Sequence, residues 1–235
     1  MALRPDVEAA VAHLERATAA ARGFDPATAT RSFRVAMADY QELTELPRIF
    51  AALRAGAPGC SLEVVPIDRL HAEGGLERGA AELALGPRAA AAGRHVVPLY
   101  EEHAVMVVRR DHPWVGDALD AAGFARLPQV VTQVGGRPSV GGRMVEEALR
   151  REGQARAVSL RVPHFVAAAR VVVETDAGAL IPGRLAALLG GEWPLRVVAL
   201  PFALPRIPVA MAWTDRTDAD PGAAYLRAVV RDALG

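Results

Sequence analysis

The sequence predicts an α/β protein made of two similar units, each a parallel sheet covered by helices. Short apolar strands alternate with amphipathic helical segments along the chain, and this order places helices on the faces of a parallel sheet. The order occurs twice, before and after residues 100–104. The 235 residues, of which 51% are hydrophobic and 23% are charged, suffice for two such units of ordinary globular composition.

The elements of the first unit follow from changes in the hydrophobic period. They are a strand at 32–37, a helix with its apolar face at 43–53 that ends near Gly56, a strand at 62–66, a weak helix at 70–78 and a strand at 81–85 that Gly86-Pro87 stops. Two further apolar runs, 95–99 and 103–109, lead from the first unit into the second.

The second unit begins near residue 125. Its predicted strands cover 129–132, 158–162, 179–181 and 196–200, and its predicted helices cover 141–151, 164–173 and 183–189. A last strand at 207–213 and a helix at 221–234, with Pro221 at its start, remain. The simplest arrangement returns these two elements to the first unit, so that two strands cross between the units.

A further amphipathic helix is predicted at the N-terminus, over 5–22. Pro5 suits a first helical turn, and Val7, Val11 and Leu14 share one face. Two interpretations of this face are open. It packs on the chain's own body, or it belongs to a linker helix that dimerises.

Charge and targeting signals limit the function classes. Lys plus Arg and Asp plus Glu both number 27, so the formal net charge is zero, whereas a domain that grips nucleic acid by itself carries a basic excess. The single cysteine, Cys60, cannot form an internal disulfide. The chain shows no secretory signal and no apolar run of the ~18 residues that a membrane span needs. We therefore predict a cytoplasmic protein with no membrane partner.

The sequence offers no catalytic or metal-binding motif. Its six histidines form no His-x-x-x-His pair, no Gly-x-Ser-x-Gly elbow occurs, and Gly142-Arg143 replaces the Lys-Ser/Thr of a phosphate-binding loop. Glu101 and Glu102 are adjacent carboxylates, but neighbours on a strand point to opposite faces and would not share one site. We predict no enzyme, no catalytic residue, no metal site and no cofactor.

Four phrases, in this order, resemble the effector-binding domain of LysR-type transcriptional regulators. They are Ser32-Phe33-Arg34-Val35 with Asp39-Tyr40, then Glu82-Leu83-Ala84-Leu85-Gly86, then Pro98-Leu99-Tyr100 with Val107-Val108-Arg109-Arg110-Asp111-His112-Pro113, and finally Arg161-Val162-Pro163-His164-Phe165 with Glu174-Thr175-Asp176 and Ile181-Pro182-Gly183-Arg184. The last phrase resembles the branch of nodulation-gene regulators and regulators of aromatic-compound breakdown. The resemblance covers residues from about 3 to 233.

The resemblance implies a type 2 periplasmic-binding-protein-like fold, in which two α/β lobes with mixed, mostly parallel sheets enclose a cleft. Residues 30–102 and 207–235 would form lobe I, residues 103–206 lobe II, and residues 1–23 a linker or dimerisation helix. It also implies that a small organic effector binds between the lobes. The family's N-terminal winged helix-turn-helix is absent from this sequence. A solute-binding protein of a transporter, which shares the fold, is the alternative function.

The candidate effector-binding residues of lobe I lie where strands end. Asp39, Tyr40 and Gln41 follow the first strand at a helix start, where free N–H groups favour anions. Asp39 has a second interpretation, as the cap of this helix. Gly86 and Pro87 end the third strand, where glycine would let a ligand approach the backbone, although an ordinary turn explains them equally well.

Five candidates in lobe II come from its loops. Thr132, Gln133 and Arg137 lie between a strand and a helix, and Arg137 either holds a carboxylate through its planar fork or is a solvated loop residue. Thr175 lies on the turn after the helix at 164–173. Phe202, near the second crossover, either lines the cleft or packs in the core.

His164 and Phe165 complete the candidate site, at a predicted helix start. A polar ring beside an aromatic one suits a hydroxylated aromatic acid, and the alternative is a capping histidine with a core phenylalanine. Together with the family branch, this favours a small aromatic or phenolic acid as the effector. Gln129 stands where many members of that branch carry histidine, so this sequence departs from their pattern.

The resemblance also implies self-association. Members of the family pair as homodimers, and full-length regulators as tetramers, with a helix of lobe I against a helix of lobe II. The helix at 43–53 is the candidate in lobe I, which exposed apolar positions on it would support. DNA would be contacted only through the missing N-terminal domain.

Overall fold

The computed structural model describes residues 23–72, 75–87 and 94–235. The predicted helix at 5–22 lies outside these residues. The described strands are β1 (Ser32–Met37), β2 (Ser61–Pro66), β3 (Leu83–Pro87), β4 (Arg94–Glu102), β5 (Ala104–Arg109), β6 (Gln129–Val134), β7 (Arg137–Pro138), β8 (Val158–Val162), β9 (Gly178–Pro182), β10 (Leu195–Val198) and β11 (Ile207–Thr214). Within the described ranges, no helix combines the length and the hydropathy that crossing a membrane requires.

Helices cover both faces of the sheets that these strands form. In chain order they are α1 (Asp39–Thr44), α2 (Leu46–Gly56), α3 (Ile67–Ala72), α4 (Ala121–Arg126), α5 (Val140–Arg151), α6 (Phe165–Glu174), α7 (Gly183–Gly190), α8 (Asp215–Asp218) and α9 (Pro221–Leu234), with a 3-10 turn at Leu76–Arg78. Pro221 is the first residue of α9, and the side chain of Asp220 caps it by accepting from Ala223 N at 3.0 Å.

The strands group into two mixed sheets, joined by two crossovers. The first sheet has the order β2-β1-β3-β11-β4, and the second has the order β10-β5-β9-β6-β7 with β8 paired to β6. The chain leaves the first sheet between β4 and β5 and returns to it between β10 and β11. Parallel pairs join β1 to β2 and β3, and β6 to β8 and β9. The described antiparallel pairs all involve β5, β7 or β11. The sheets are therefore more evenly mixed than the mostly parallel sheets that the sequence predicts, because strands that cross between the sheets enter from the opposite end.

Each sheet has an apolar core on both faces. Around the first sheet, α2 and α9 pack together over β1, with Phe33, Leu53 and Leu226 fully buried. Each such side chain contributes about 1.5–3 kcal/mol relative to its exposed state. Around the second sheet, α6 and α7 cover one face, and α4 and α5 cover the other.

Arg31 links the C-terminal helix α9 to the first sheet. Its guanidinium lies just before β1, donates to Asp220 at 2.6 Å and pairs with Glu82, which precedes β3. Burial opposes the charged form of Asp220, but the hydrogen bonds from Arg31 and from Ala223 N outweigh it and lower the pKa of Asp220 below its usual value. Helix α9 is thereby tied to β1 and β3.

Three predicted elements of the first unit need correction. The helix predicted at 43–53 is two helices, because Pro47 has no N–H to donate to the carbonyl of Leu43, and the chain breaks at Glu45 between α1 and α2. The weak helix at 70–78 is instead α3 and the 3-10 turn. The strand at 81–85 begins later and continues through Gly86 and Pro87, because β11 pairs with both.

The sequence did not predict three short elements in the second half of the chain. Helix α4 has no long apolar stripe, and it forms because Asp120 caps it, with Oδ1 accepting from Gly123 N at 2.6 Å. Strand β7 is a two-residue return of the hairpin after β6, and Gly135 and Gly136 between them adopt positive φ angles of 60° and 71°. Helix α8 occupies one turn between β11 and α9.

Candidate functional site

A cavity of about 450 Å³ lies between the two sheets, and both sheets contribute to its wall. We call it the inter-sheet cavity. Its volume falls in the range of about 300–1,000 Å³ typical of small-molecule sites. Its wall is mainly apolar, with a small number of polar side chains: Tyr40, Gln41, Glu102, His103, Arg137, Ser139 and Arg143.

Aromatic rings from opposite sheets meet at this cavity. Tyr40, in α1, and Phe165, at the start of α6, pack edge to face with their ring centroids 5.5 Å apart. Burial raises the pKa of Tyr40 well above its usual value, and the neighbouring Tyr100 and Glu102 raise it further. The Tyr40 hydroxyl is therefore neutral at physiological pH and can donate a hydrogen bond.

Gly86 presents backbone to the cavity. It lies in β3 opposite Ala210 of β11, and a Cβ atom built on it would have no other atom within 4 Å. The residue is therefore a strand position beside open space rather than an ordinary turn. Neighbouring Gln41 is fully buried, and its Oε1 accepts from Ala38 N at 3.2 Å.

The wall contributed by the second sheet is cationic at the start of α5. Ser139 caps this helix, with Oγ accepting from Gly142 N at 3.2 Å, and its backbone N donates to the carbonyl of Thr132. Arg143 lies in the first turn and donates to the carbonyl of Pro138 at 2.7 Å, and Arg137 is exposed on the hairpin. A helix start with two guanidinium groups favours an anionic ligand group.

A partly buried polar cluster joins the sheets beside the cavity. Arg184, in α7, lies 3.3 Å from the fully buried carboxylate of Glu45, which precedes α2. The same guanidinium stacks over the ring of Tyr100 at 3.8 Å from its centroid. Burial raises the pKa of Tyr100, and the negative charge of Glu45 raises it further.

Two more contacts connect the sheets through acidic side chains. Asp39 Oδ2 accepts from Val166 N at 2.9 Å, so Asp39 caps α6 of the second sheet and not its own helix. Asp68, in α3, accepts a hydrogen bond from Gly135 N at the tip of the β6–β7 hairpin. The structure thus gives Asp39 a capping role, but toward the helix on the other side of the cleft.

A second hollow of about 640 Å³, which we call the outer hollow, lies on the other side of Asp39. His164 lines it and is exposed, and its side chain does not cap α6. Burial raises the pKa of Glu42 in the same hollow, with Asp39 adding to this effect and His164 opposing it. Because its charged walls face solvent, the outer hollow is a weaker ligand site than the inter-sheet cavity.

The structure brings together half of the residues predicted from the sequence. The inter-sheet cavity is lined by Tyr40, Gln41, Gly86, Pro87, Arg137 and Phe165. Asp39 and His164 line the outer hollow. Thr132, Gln133, Thr175 and Phe202 line neither space.

Each of these four has a structural reason for lying elsewhere. Thr132 is buried within β6, and Gln133 pairs with Pro138 in the hairpin. Thr175 follows the last residue of α6, about 15 Å from the helix start at the cleft, and its hydroxyl bonds the carbonyl of Val171. Phe202 packs on Phe124 in the core, with centroids 5.3 Å apart.

Gln129 also lies away from the cavity. It is fully buried at the start of β6, where Nε2 donates to the carbonyl of Phe124 and Oε1 accepts from Arg156. Burial lowers the pKa of Arg156. The residue that differs from the family branch therefore supports the second core.

Sequence reasoning missed four polar residues of the inter-sheet cavity: Glu102, His103, Ser139 and Arg143. The signal for Arg143 was an arginine in a first helical turn, where the helix dipole disfavours a cation unless an anion is near. Glu102 was considered only as half of a catalytic pair. The expected alternation holds, because Glu101 is exposed and Glu102 is buried facing the cavity.

Comparison with known families agrees with this architecture. The family model of the LysR substrate binding domain matches residues 27–235. The chain belongs to this family. Members are the effector-sensing portions of transcriptional regulators, so the function predicted from the sequence is confirmed at this level.

Two curated relatives extend across nearly the whole chain. The HTH-type transcriptional activator NahR of Pseudomonas putida is 30% identical over 232 residues, which are 98% of this chain and 76% of NahR. Nodulation protein D 1 of Sinorhizobium fredii is 29% identical over 231 residues, or 97% of this chain and 70% of that protein. NahR is a transcriptional activator, and neither relative is named as a solute-binding protein of a transporter, the alternative considered from the sequence.

The fold is also that of a solved regulatory domain. The crystal structure of the regulatory domain of MexT, a transcriptional activator in Pseudomonas aeruginosa, has a TM-score of 0.72 and 26% identity. The match covers 88% of this chain and 100% of that domain. The predicted two-lobed periplasmic-binding-protein-like fold of this LysR-family chain is confirmed.

Proposed function

We propose that this LysR-family domain senses a small aromatic or phenolic acid in the inter-sheet cavity. The observation that carries the proposal is the combination, in one cavity, of an edge-to-face ring pair, Tyr40 and Phe165, with a cationic helix start at Ser139 and Arg143. Apolar walls favour the ring, and the guanidinium groups favour the carboxylate. Arg137 lines the same cavity.

The proposal includes the way in which binding is transmitted. Lobe I, residues 30–102 and 207–235, and lobe II, residues 103–206, change their relative position when an effector occupies the cavity. The polar contacts of Asp39, Asp68 and Glu45 between the lobes are the interactions that such a change would make or break. The movement is passed to a winged helix-turn-helix domain of a cytoplasmic regulator. No residue has a catalytic role in this function.

A thermal-shift screen with benzoates, salicylates and flavonoids tests the proposal. We expect one class to raise the melting temperature saturably, because a ligand that binds only the folded state stabilises it by about 2.7 kcal/mol at 100 times its Kd. Arg137→Ala should weaken the shift, because it removes a guanidinium group that favours the carboxylate. Arg137 is exposed, so its loss does not disturb a core. Arg110→Ala, an equally exposed arginine of lobe II outside the cavity, is the matched control.

The His164→Ala variant separates the two spaces. A shift lost in His164→Ala but kept in Arg137→Ala would assign the effector to the outer hollow. No shift with any compound class would contradict the aromatic-acid proposal.

We further propose that the domain forms homodimers through α1 and α2, and tetramers in a full-length regulator. Leu43 and Phe50 on these helices are large apolar side chains with 41% and 44% of their surface exposed. We expect Phe50→Glu to convert the dimer to monomers in analytical ultracentrifugation. Trp114→Glu, which changes a similarly exposed ring on a loop of lobe II, should leave the dimer intact.

A further inference from the structure

The two crossovers between the sheets lie side by side. The first passes from β4 to β5 between Glu102 and Ala104, and the second returns the chain from β10 to β11. Ile207, the first residue of β11, pairs with Glu102, the last residue of β4. The chain therefore connects the two lobes along one line, about which the lobes can turn as about a hinge.

The start of α7 is fixed against the first crossover. Gly183 N donates to the carbonyl of His103 at 2.8 Å and to Glu102 Oε1 at 3.1 Å. The imidazole of His103 also packs so closely on Gly183 that a Cβ atom built there would lie 2.2 Å from its Cε1 atom. Because these contacts lie at the hinge line, they change least when the lobes turn.

A different contact joins the lobes at the ends of the sheets that are remote from the crossovers. Asp68 follows the edge strand β2, and its carboxylate accepts from Gly135 N at the tip of the β6–β7 hairpin. Three strands separate β2 from β4 in the first sheet, and β9 separates β6 from β5 in the second. Three to four strand spacings of about 4.8 Å put this contact about 15–20 Å from the crossovers.

Its distance from the hinge line makes the Asp68–Gly135 contact sensitive to any rotation of the lobes. A rotation of about 10° moves a point at this distance by about 3 Å, which is enough to break a hydrogen bond. The bond from Val166 N to Asp39 Oδ2, 2.9 Å long, follows β1 and lies one strand nearer to the crossovers. Opening of the cleft therefore breaks the Asp68–Gly135 contact first.

Opening at this edge also acts on the partition between two spaces. Ala38, Ile67 and Val134 line both the inter-sheet cavity and the outer hollow. Ile67 directly precedes Asp68, and Val134 directly precedes Gly135, so each belongs to one side of the hydrogen bond. Separation of α3 from the hairpin therefore draws apart residues that divide the cavity from the hollow.

We propose that Asp68 and Gly135 form a clasp that holds the two lobes closed about the crossovers, and that release of this clasp connects the inter-sheet cavity with the outer hollow. Release also breaks the bond between Asp39 and Val166, whereas Gly183 keeps its bonds at the crossover. The clasp is a property of the lobes themselves. The inference therefore goes beyond the proposed function and does not depend on which compound the cavity binds.

Amide hydrogen exchange of the whole chain, resolved by NMR, tests the clasp without a ligand. Relative to their intrinsic rates, we expect the Val166 amide to exchange faster than the Gly183 amide in the wild type, because only Val166 loses its bond when the clasp opens. Asp68→Ala should accelerate exchange at Val166 about two- to tenfold, the range that follows from the net contribution of one hydrogen bond. Exchange at Gly183 should not change.

Two further variants make the comparison specific. Asp68→Asn keeps an oxygen that accepts from Gly135 N, so exchange at Val166 should stay within about twofold of the wild type. Asp120→Ala is the matched control, because its carboxylate accepts from a backbone N–H at 2.6 Å within lobe II. This variant should leave the ratio of the Val166 rate to the Gly183 rate unchanged.

Three outcomes overturn the clasp. They are a wild-type Val166 amide that exchanges no faster than Gly183, an acceleration in Asp68→Ala that is confined to α3, and an equal acceleration of both amides. The second would show that Asp68 acts on its own helix, and the third that the lobes unfold. If Asp68→Ala does not fold, the wild-type ranking of the two amides decides the inference by itself. A thermal-shift screen without a binding compound contradicts the proposed function and leaves the clasp standing.

Discussion

At the scale of single residues, Gly86 tests the inter-sheet cavity most directly. A side chain added at this strand position meets no protein atom within 4 Å and would occupy the cavity itself. We expect Gly86→Val to leave the free energy of unfolding unchanged or to raise it by up to about 1 kcal/mol, because glycine weakens a strand. The same variant should lower effector affinity at least about tenfold by filling the space.

Gly116→Val is the matched control, measured by chemical unfolding and by thermal shift with the best compound of the screen. Gly116 also has open space around its missing side chain, but it lies on a loop outside the cavity. Unchanged effector binding in Gly86→Val would show that the effector does not use this cavity.

Residue identities in the candidate site were partly predictable. Tyr40 and Gln41 follow β1, and Gly86 lies near the end of β3. Parallel strands end at one edge of a sheet, so the convergence of these residues could be inferred from the order of elements alone. The partner of Asp39 could not be inferred. Its carboxylate accepts from the amide of Val166, 127 positions later in the chain, and no local pattern records which helix start lies across a cleft.

At the scale of elements, the attachment of α9 depends on pH. The pKa of Asp220 lies below its usual value in the folded state, so the stability from its contact with Arg31 is complete above pH 3.8 and is lost as the pH falls further. We expect Asp220→Asn to be less stable than the wild type at neutral pH. This difference should shrink as the pH is lowered from about 5 toward 3.

Urea unfolding at a series of pH values measures this effect. Asparagine still caps helices well, so the variant removes the ion pair with Arg31 more than the cap. Asp232→Asn, at an exposed carboxylate of the same helix, should show a smaller difference at neutral pH. An Asp220→Asn difference that stays constant with pH would contradict the linkage.

Element types were predictable where an apolar period is long. The spans predicted at 158–162 and 221–234 agree with β8 and α9, because strict alternation and a proline-started stripe are strong local signals. Helix α4 was not predictable, since six residues with a central Gly123 give no stripe. It is held instead by its cap at Asp120 and by the burial of Phe124 in the second core.

At the scale of the whole molecule, Asp39 forms one of the polar contacts that join the lobes. Asp39→Ala removes the side-chain cap of α6 across the cleft and should cost about 0.5–2 kcal/mol of stability. We also expect faster hydrogen exchange of the Val166 amide and a larger radius of gyration in solution scattering. Both follow because the lost hydrogen bond joins two lobes and not two neighbouring residues.

Asp120→Ala is the matched variant within one lobe. Asp120 caps α4 in the same way, but its partner Gly123 is three residues away. Both variants should lose similar stability, and only Asp39→Ala should change the radius of gyration. Equal radii for the two variants would indicate that Asp39 does not hold the lobes together.

The sequence by itself determined the class of this protein. Hydrophobic period, turn residues and four phrases in order predict two α/β units, a LysR-type resemblance and a cleft between strand ends. These features are local or depend only on the order of elements, so the amino-acid sequence alone is enough to predict them.

Only the tertiary structure decided which polar groups share the cleft. Alternation along the strand indicated that Glu101 and Glu102 point to opposite faces, and only the assembled sheets show that Glu102 is the buried one, in the wall of the inter-sheet cavity. Thr175 and Phe202, by contrast, were placed at the far end of α6 and in the second core. The reason is physical: burial and hydrogen-bond pairing depend on contacts between residues far apart in sequence, and these form only when both sheets are assembled.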